Sequence, residues 1–272
     1  MIRKPAVAGY FYPEKREELA EMIGDFKSQS AGEIPICRAK GAVLPHAGYK
    51  YSGLVAAKTV FASEFPRTFI ILSPNHTGLG EAFSIMPQGI WQTPLGQVHI
   101  DEHLGKQILQ NSHYLKDDPL AHQREHGVEV LLPFLQYVDP DFQFVPIVVA
   151  HASGDVYQKI AGEITGVLDS YRGDREISVV ASSDMTHFEP KESAEKKDRY
   201  AIEAMCALDS ENLLKKVREY DISMCGVGPA VIMMEVLKKF GARRSQLIDY
   251  RTSGQVTGDY ASVVGYAGLR VE

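Results

Sequence analysis

The chain has 272 residues, 44% apolar and 24% charged, with a formal net charge of −6. That is a globular composition with ample length for a core, and its acidic balance argues against a nucleic-acid surface, which is normally basic. No apolar run approaches the roughly 20 residues that cross a bilayer, the N-terminus has no signal-like stretch, and three scattered cysteines (Cys37, Cys206, Cys225) cannot frame a disulfide scaffold, so a cytoplasmic protein with reduced thiols and no membrane partner is expected.

The first predicted element is a short buried strand over residues 41–44, followed by a helix over 53–61 and a second strand over 68–72. Short strands are expected at 83–86 and 98–100, around a turn spanning Trp91 to Gly96. A helix follows over 102–110. Residues 128–137 have helical spacing, with Pro133 demanding a kink or a late start. Residues 142–150 read as an apolar strand broken at Pro146, 153–171 as a helix and 176–181 as a strand. Three helices are expected over 192–208, 210–220 and 228–240, with Asp209 and Ser210 offering an N-cap. Strands over 246–251 and 261–267, joined by a Gly-rich turn, complete the pattern. Strand–helix alternation predicts a central sheet with helices on both faces, and no linker divides residues 1–272, so one domain is expected.

Three strand ends carry the chemistry: Pro45-His46, Pro74-Asn75-His76, and Ser182-Ser183-Asp184 with His187. In open α/β sheets functional groups collect beyond the carboxyl ends of strands. His46 and His76 in such turns suit Zn²⁺ or Fe²⁺, although each ring could equally shape its loop by bonding a carbonyl. Asp184 could orient His187 as a ligand or acid/base, and Ser183 or Asp184 could instead cap a helix. Cys225, just ahead of a helix, reads either as a thiol of lowered pKa or as a small buried apolar residue.

His122-Gln123-Arg124-Glu125-His126 matches the zinc-peptidase pattern H-x-x-E-H, with Glu129 as a further ligand. The pattern needs a helix through His122, which Pro119 disfavours. The alternative is a helix start that presents Glu125 or His126 to the common cleft.

Taken together, Pro5-Ala6-Val7-Ala8-Gly9-Tyr10-Phe11-Tyr12-Pro13, Pro45-His46-Ala47-Gly48-Tyr49, Ser73-Pro74-Asn75-His76, Glu125-His126-Gly127-Val128-Glu129, Ser182-Ser183-Asp184 and Tyr250-Arg251-Thr252-Ser253-Gly254 resemble the Memo family, whose microbial members are called AmmeMemoRadiSam system protein B. The resemblance runs from Arg3 to about Gly268. It implies the fold of LigB-like class III extradiol dioxygenases, a three-layer α/β/α arrangement with a central mixed sheet. It also implies a metal held by His46, His76 and Cys225, with His187 as catalytic base, Asp184 beside it, and Asn75, Glu125 and His126 lining the cleft. Cys225 falls where the dioxygenases carry a glutamate, which favours copper or zinc beside iron. The resemblance leaves two functions open: a metal-dependent oxidoreductase acting on a small molecule, and a non-catalytic module that binds a peptide or metal. Radical-SAM and AMMECR-type proteins are its expected pathway partners.

Overall fold

The computed structural model describes residues 1–30, 32, 34–170 and 176–272. Its frame is four parallel strands laid side by side in the order Gln143–Val149, Thr68–Pro74, Ile177–Ser182 and Gly41–Leu44. Nearly every residue in them is buried, because helices cover both faces. Successive side chains alternate between two cores, as the period of two requires. Val43, Ile70, Leu72, Val179 and Ala181 pack towards helices Glu102–Asn111, Gly154–Asp169 and Val227–Lys239. Ala42, Leu44, Phe69, Ile71 and Val180 pack towards helices Arg16–Ser30, Tyr49–Phe61 and Leu132–Val138. Each fully buried Leu or Ile contributes about 1.5–3 kcal/mol. The result is the predicted three-layer α/β/α fold.

The sheet is mixed and twelve-stranded. Val263–Val271 lies antiparallel to Gly41–Leu44 and pairs on its other side with Ser245–Thr252. Beyond Gln143–Val149 come Gly96–Ile100, Ile90–Thr93 and the edge strand Ile2–Arg3. No helix among the described residues is long and apolar enough to cross a membrane.

Several expectations needed correction. Pro146 does not break its strand. Of this strand, Gly96–Ile100 pairs with Gln143 and Phe144 and Phe83–Ile85 with Ile147 to Val149, so Pro146 lies in the gap between two partners, where its missing N–H is not needed. The expected turn at Trp91 is a strand, Ile90–Thr93, and only Pro94 and Leu95 turn the chain before Gly96. Residues 128–137 start late as a helix: a 3₁₀ turn, Glu129–Leu131, precedes Leu132–Val138, with Pro133 in its first turn. Helix Arg16–Ser30 and strand Ile2–Arg3 are additions to the expected elements; Leu19 and Ile23 are buried in the helix and Met22 and Phe26 pack beside them on the same core, the spacing of an amphipathic helix. The helix expected over 153–171 is Gly154–Asp169, and Tyr171 lies outside the described residues. Asp209 caps its helix as read, its carboxylate accepting from the Asn212 N–H.

The strand registers level the site. Leu44 pairs with Ser182, and Ala181 with Leu72, so the turns bearing His46, His76 and Asp184 leave the sheet at one height.

Candidate metal centre

His46 leaves the Gly41–Leu44 strand through Pro45 and is wholly buried. Its Nδ1 is 2.7 Å from Ser182 Oγ, and Ser182 Oγ donates its hydrogen to the Gly127 carbonyl at 2.6 Å. Because a carbonyl can only accept, the Ser182 hydroxyl must receive the Nδ1–H of His46. The lone pair of His46 therefore resides on Nε2. Burial, reinforced by the neighbouring histidines, pulls its pKa well below 6.5, so the ring is neutral at physiological pH.

The same logic fixes His76. Its Nδ1 is 2.8 Å from Glu125 Oε1, and its backbone N–H donates to Glu125 Oε2 at 2.8 Å. The carboxylate also accepts the Gly127 N–H at 2.9 Å. Burial alone would raise the Glu125 pKa, but the hydrogen bond and charge of His76 outweigh it and the carboxyl lies below its usual range. Glu125 thus holds the Nδ1 proton of His76 and leaves Nε2 as the free donor, the carboxylate–histidine pairing that supports metal ligands. Position 127 must be glycine here: a Cβ would meet Ser73 Oγ at 2.2 Å.

His126 completes the group. Its ring stacks on His76 (centroids 4.6 Å, 22° between planes) and meets His46 edge-on at 5.3 Å. One donor atom from each of His46, His76 and His126 lies within 4.8 Å of the other two, so the cluster can hold a metal ion. The sequence reading placed His126 in the cleft but not among the donors; its adjacency to Glu125 was the available signal.

Cys225 also reaches His46, with Sγ 3.3 Å from Nε2 and accepting the Asp184 N–H at 3.2 Å. The helix Val227–Lys239 begins just after it, yet no lowered pKa results. Burial, and then the Asp184 charge, push the thiol up to about 12.

Asp184 does not orient His187. Its carboxylate accepts the His46 N–H at 2.8 Å, and burial pushes its pKa up to about 6. His187 is held by Ser223 instead: Nδ1 lies 3.0 Å from the Ser223 carbonyl, and the backbone N–H donates to Ser223 Oγ at 2.8 Å. Nε2 of His187 is left as the acceptor. No helix follows Ser183 and Asp184; the chain continues into the strand His187–Glu189. Asn75 shapes its turn, with Oδ1 accepting the Gly78 N–H at 2.8 Å.

The H-x-x-E-H pattern is not a zinc motif in this fold. Helix Pro119–Gln123 ends before Glu125, so His122 and His126 share no helix face. His122 is in the core, edge-on to Trp91, with Nε2 3.1 Å from Ser84 Oγ, and burial followed by the Arg3 charge lowers its pKa to about 3. Its Nδ1 has no hydrogen-bond partner among the described residues. Glu129 is equally committed, bound by Arg3, the Tyr12 hydroxyl (2.6 Å) and the N–H groups of Ala6 and Val7.

Comparison with known proteins places these residues in context. The family model described as Memo-like protein matches residues 3–270. A MEMO1 family protein of Methanopyrus kandleri is 44% identical, the match covering 99% of this chain and 98% of that one. Similar proteins, each described as a MEMO1 family protein, occur in Methanocaldococcus jannaschii (40% identical, covering 100% and 99%) and Aquifex aeolicus (41%, covering 98% of both). Among solved structures, an uncharacterized protein from Escherichia coli K12 has a TM-score of 0.55 over 86% of this chain and 100% of its own, at 10% identity, a likeness of fold alone.

Proposed function

The chain belongs to the Memo-like protein family, and on that premise we propose that it is a metal-dependent oxidoreductase whose ion is held by His46, His76 and His126 with Cys225 alongside. The observation that carries this reading is the double fixing of tautomers: Ser182 and Glu125 occupy the Nδ1 protons of His46 and His76, so both rings keep Nε2 lone pairs for a cation. Three imidazole nitrogens and a nearby thiol form a donor set that suits iron, copper or zinc.

When bound, such an ion supplies Lewis-acid chemistry and, for iron or copper, electron transfer, with coordination positions left open by three protein donors. The chain supplies the rest. His187, held through Nδ1 by the Ser223 carbonyl, has Nε2 available to take a proton from a substrate and return it. It lies within electrostatic reach of His46 and Asp184. Asp184 holds the His46 turn, and Cys225, whose thiol burial keeps protonated, would serve as a soft donor to a cation held there.

Elemental analysis of anaerobically purified protein, reconstituted with Fe²⁺, Cu⁺ or Zn²⁺, tests the reading. About one ion per chain is expected in the wild type, with loss in His46→Ala and His126→Ala proteins. A wild type that retains no ion after reconstitution would refute it. Dioxygen uptake with phenolic substrates separates the two functions: turnover lost in His187→Ala supports the oxidoreductase, and metal bound without turnover supports a non-catalytic binding module.

A further inference from the structure

The segment from Arg3 to Tyr12 contributes no donor to the cluster, yet it is bonded to two of the three turns that do. Arg3 is buried against Trp91, its Cζ 4.2 Å from the ring centroid. Its Nε donates to the His122 carbonyl at 3.1 Å and its Nη2 to the Glu125 carbonyl at 2.7 Å, while Nη1 pairs with Glu129. The Glu125 carbonyl belongs to the peptide unit whose nitrogen is that of His126. Arg3 therefore grips the backbone at the point where the His126 side chain departs. Glu129 closes the clamp by collecting the N–H groups of Ala6 and Val7 and the Tyr12 hydroxyl. On the open side, Phe11 sets its ring edge-on to His126 at 5.0 Å, and its carbonyl accepts the Tyr49 N–H at 2.7 Å, tying it to the His46 turn.

We propose that Arg3 and Phe11 are positioning residues of the metal centre, which set the direction of His126 as a donor. The proposal rests on the reading that His126 ligates the ion. A planar guanidinium is suited to this task because its donors, spread over three nitrogens in a rigid fork, are aimed at two carbonyls and a carboxylate in fixed directions, whereas an ammonium groups its donors on one nitrogen at the end of a flexible stem.

The test uses Co²⁺ alone as the probe, with its dissociation constant and visible spectrum measured on the full chain. Arg3→Lys keeps the charge opposite Glu129, and Phe11→Leu leaves the ion pair untouched, so one variant stands if the other folds poorly. Each is expected to weaken Co²⁺ binding about tenfold, the range seen for groups that orient ligands, and to shift the spectrum towards that of His126→Ala. In the His126→Ala background neither substitution should change the affinity further. Equal weakening in both backgrounds, or an unchanged spectrum and affinity, would overturn the proposal. Co²⁺ binding unaltered by His126→Ala would remove the donor assignment on which it rests, and a wild type that binds no Co²⁺ would strike the metal reading itself.

Discussion

Replacing Ser182 by alanine removes one hydroxyl and disturbs two groups. The Gly127 carbonyl loses its donor at 2.6 Å, and the Nδ1–H of His46 loses its acceptor at 2.7 Å. Both are buried, and each polar group left unpaired costs about 1–3 kcal/mol. A destabilisation of about 2–4 kcal/mol is expected for the metal-free protein, read from urea unfolding. The His46 share reappears in metal binding, because without Ser182 nothing holds the proton on Nδ1 and keeps Nε2 free. Loss of such an orienting partner costs about 10–100-fold in affinity, measurable by competing Zn²⁺ against a chromophoric chelator. Ser178→Ala is the control: it lies on the same strand, is equally buried, and its hydroxyl donates to the Ala39 carbonyl at 3.3 Å, away from the cluster. It should lose stability and keep its Zn²⁺ affinity. If Ser182→Ala binds Zn²⁺ as tightly as Ser178→Ala, the tautomer argument fails.

His122 should make the metal-free protein acid-sensitive. Its folded pKa, about 3, lies below the unfolded value near 6.5, so the unfolded chain takes up the proton first and stability falls as pH drops from about 6.5 towards 3. At about 1.4 kcal/mol per pH unit the loss by pH 5 is about 2 kcal/mol, with His46 and His126 adding in the same direction. Urea unfolding at pH 7.5 and 5 with chelator present should show His122→Leu spared that share; parallel losses in the two proteins would contradict the assignment. Gly226→Ala would place a Cβ 2.3 Å from the Ser182 carbonyl and 2.4 Å from Ser183 Cβ, next to Cys225. Overpacking of about 1–3 kcal/mol is expected, and a thermal midpoint within a degree of wild type would show that the backbone there yields.

The fold was legible where burial and period agree. Buried on both faces, the four central strands read as continuous apolar runs, and His46 and His76 could be placed at their ends from the sequence. Helix Arg16–Ser30 carries its signal in four residues, Leu19, Met22, Ile23 and Phe26, at helical spacing among mostly polar neighbours, a stripe that the sequence reading overlooked. Pro146 misled because its effect depends on which neighbours stop short of it, a fact of pairing rather than of local sequence. At the site, residue types were readable but assignments were not. Asp184 beside His187 is close in sequence, whereas the group that holds His187 is Ser223, thirty-six positions away. The thiol of Cys225 is governed by burial, which outweighs the helix terminus that its sequence position advertised.

The order of the central strands also bears on when the centre can exist. The strands that deliver His46 and His76 are not neighbours: Ile177–Ser182, synthesised about a hundred residues after His76, is inserted between them and carries the hydroxyl that sets the His46 tautomer. A nascent chain that has emerged only as far as His126 holds all three imidazoles but not the strand that spaces two of them and orients His46. On the proposed reading, metal capture would follow closure of these long-range pairings, which form slowly.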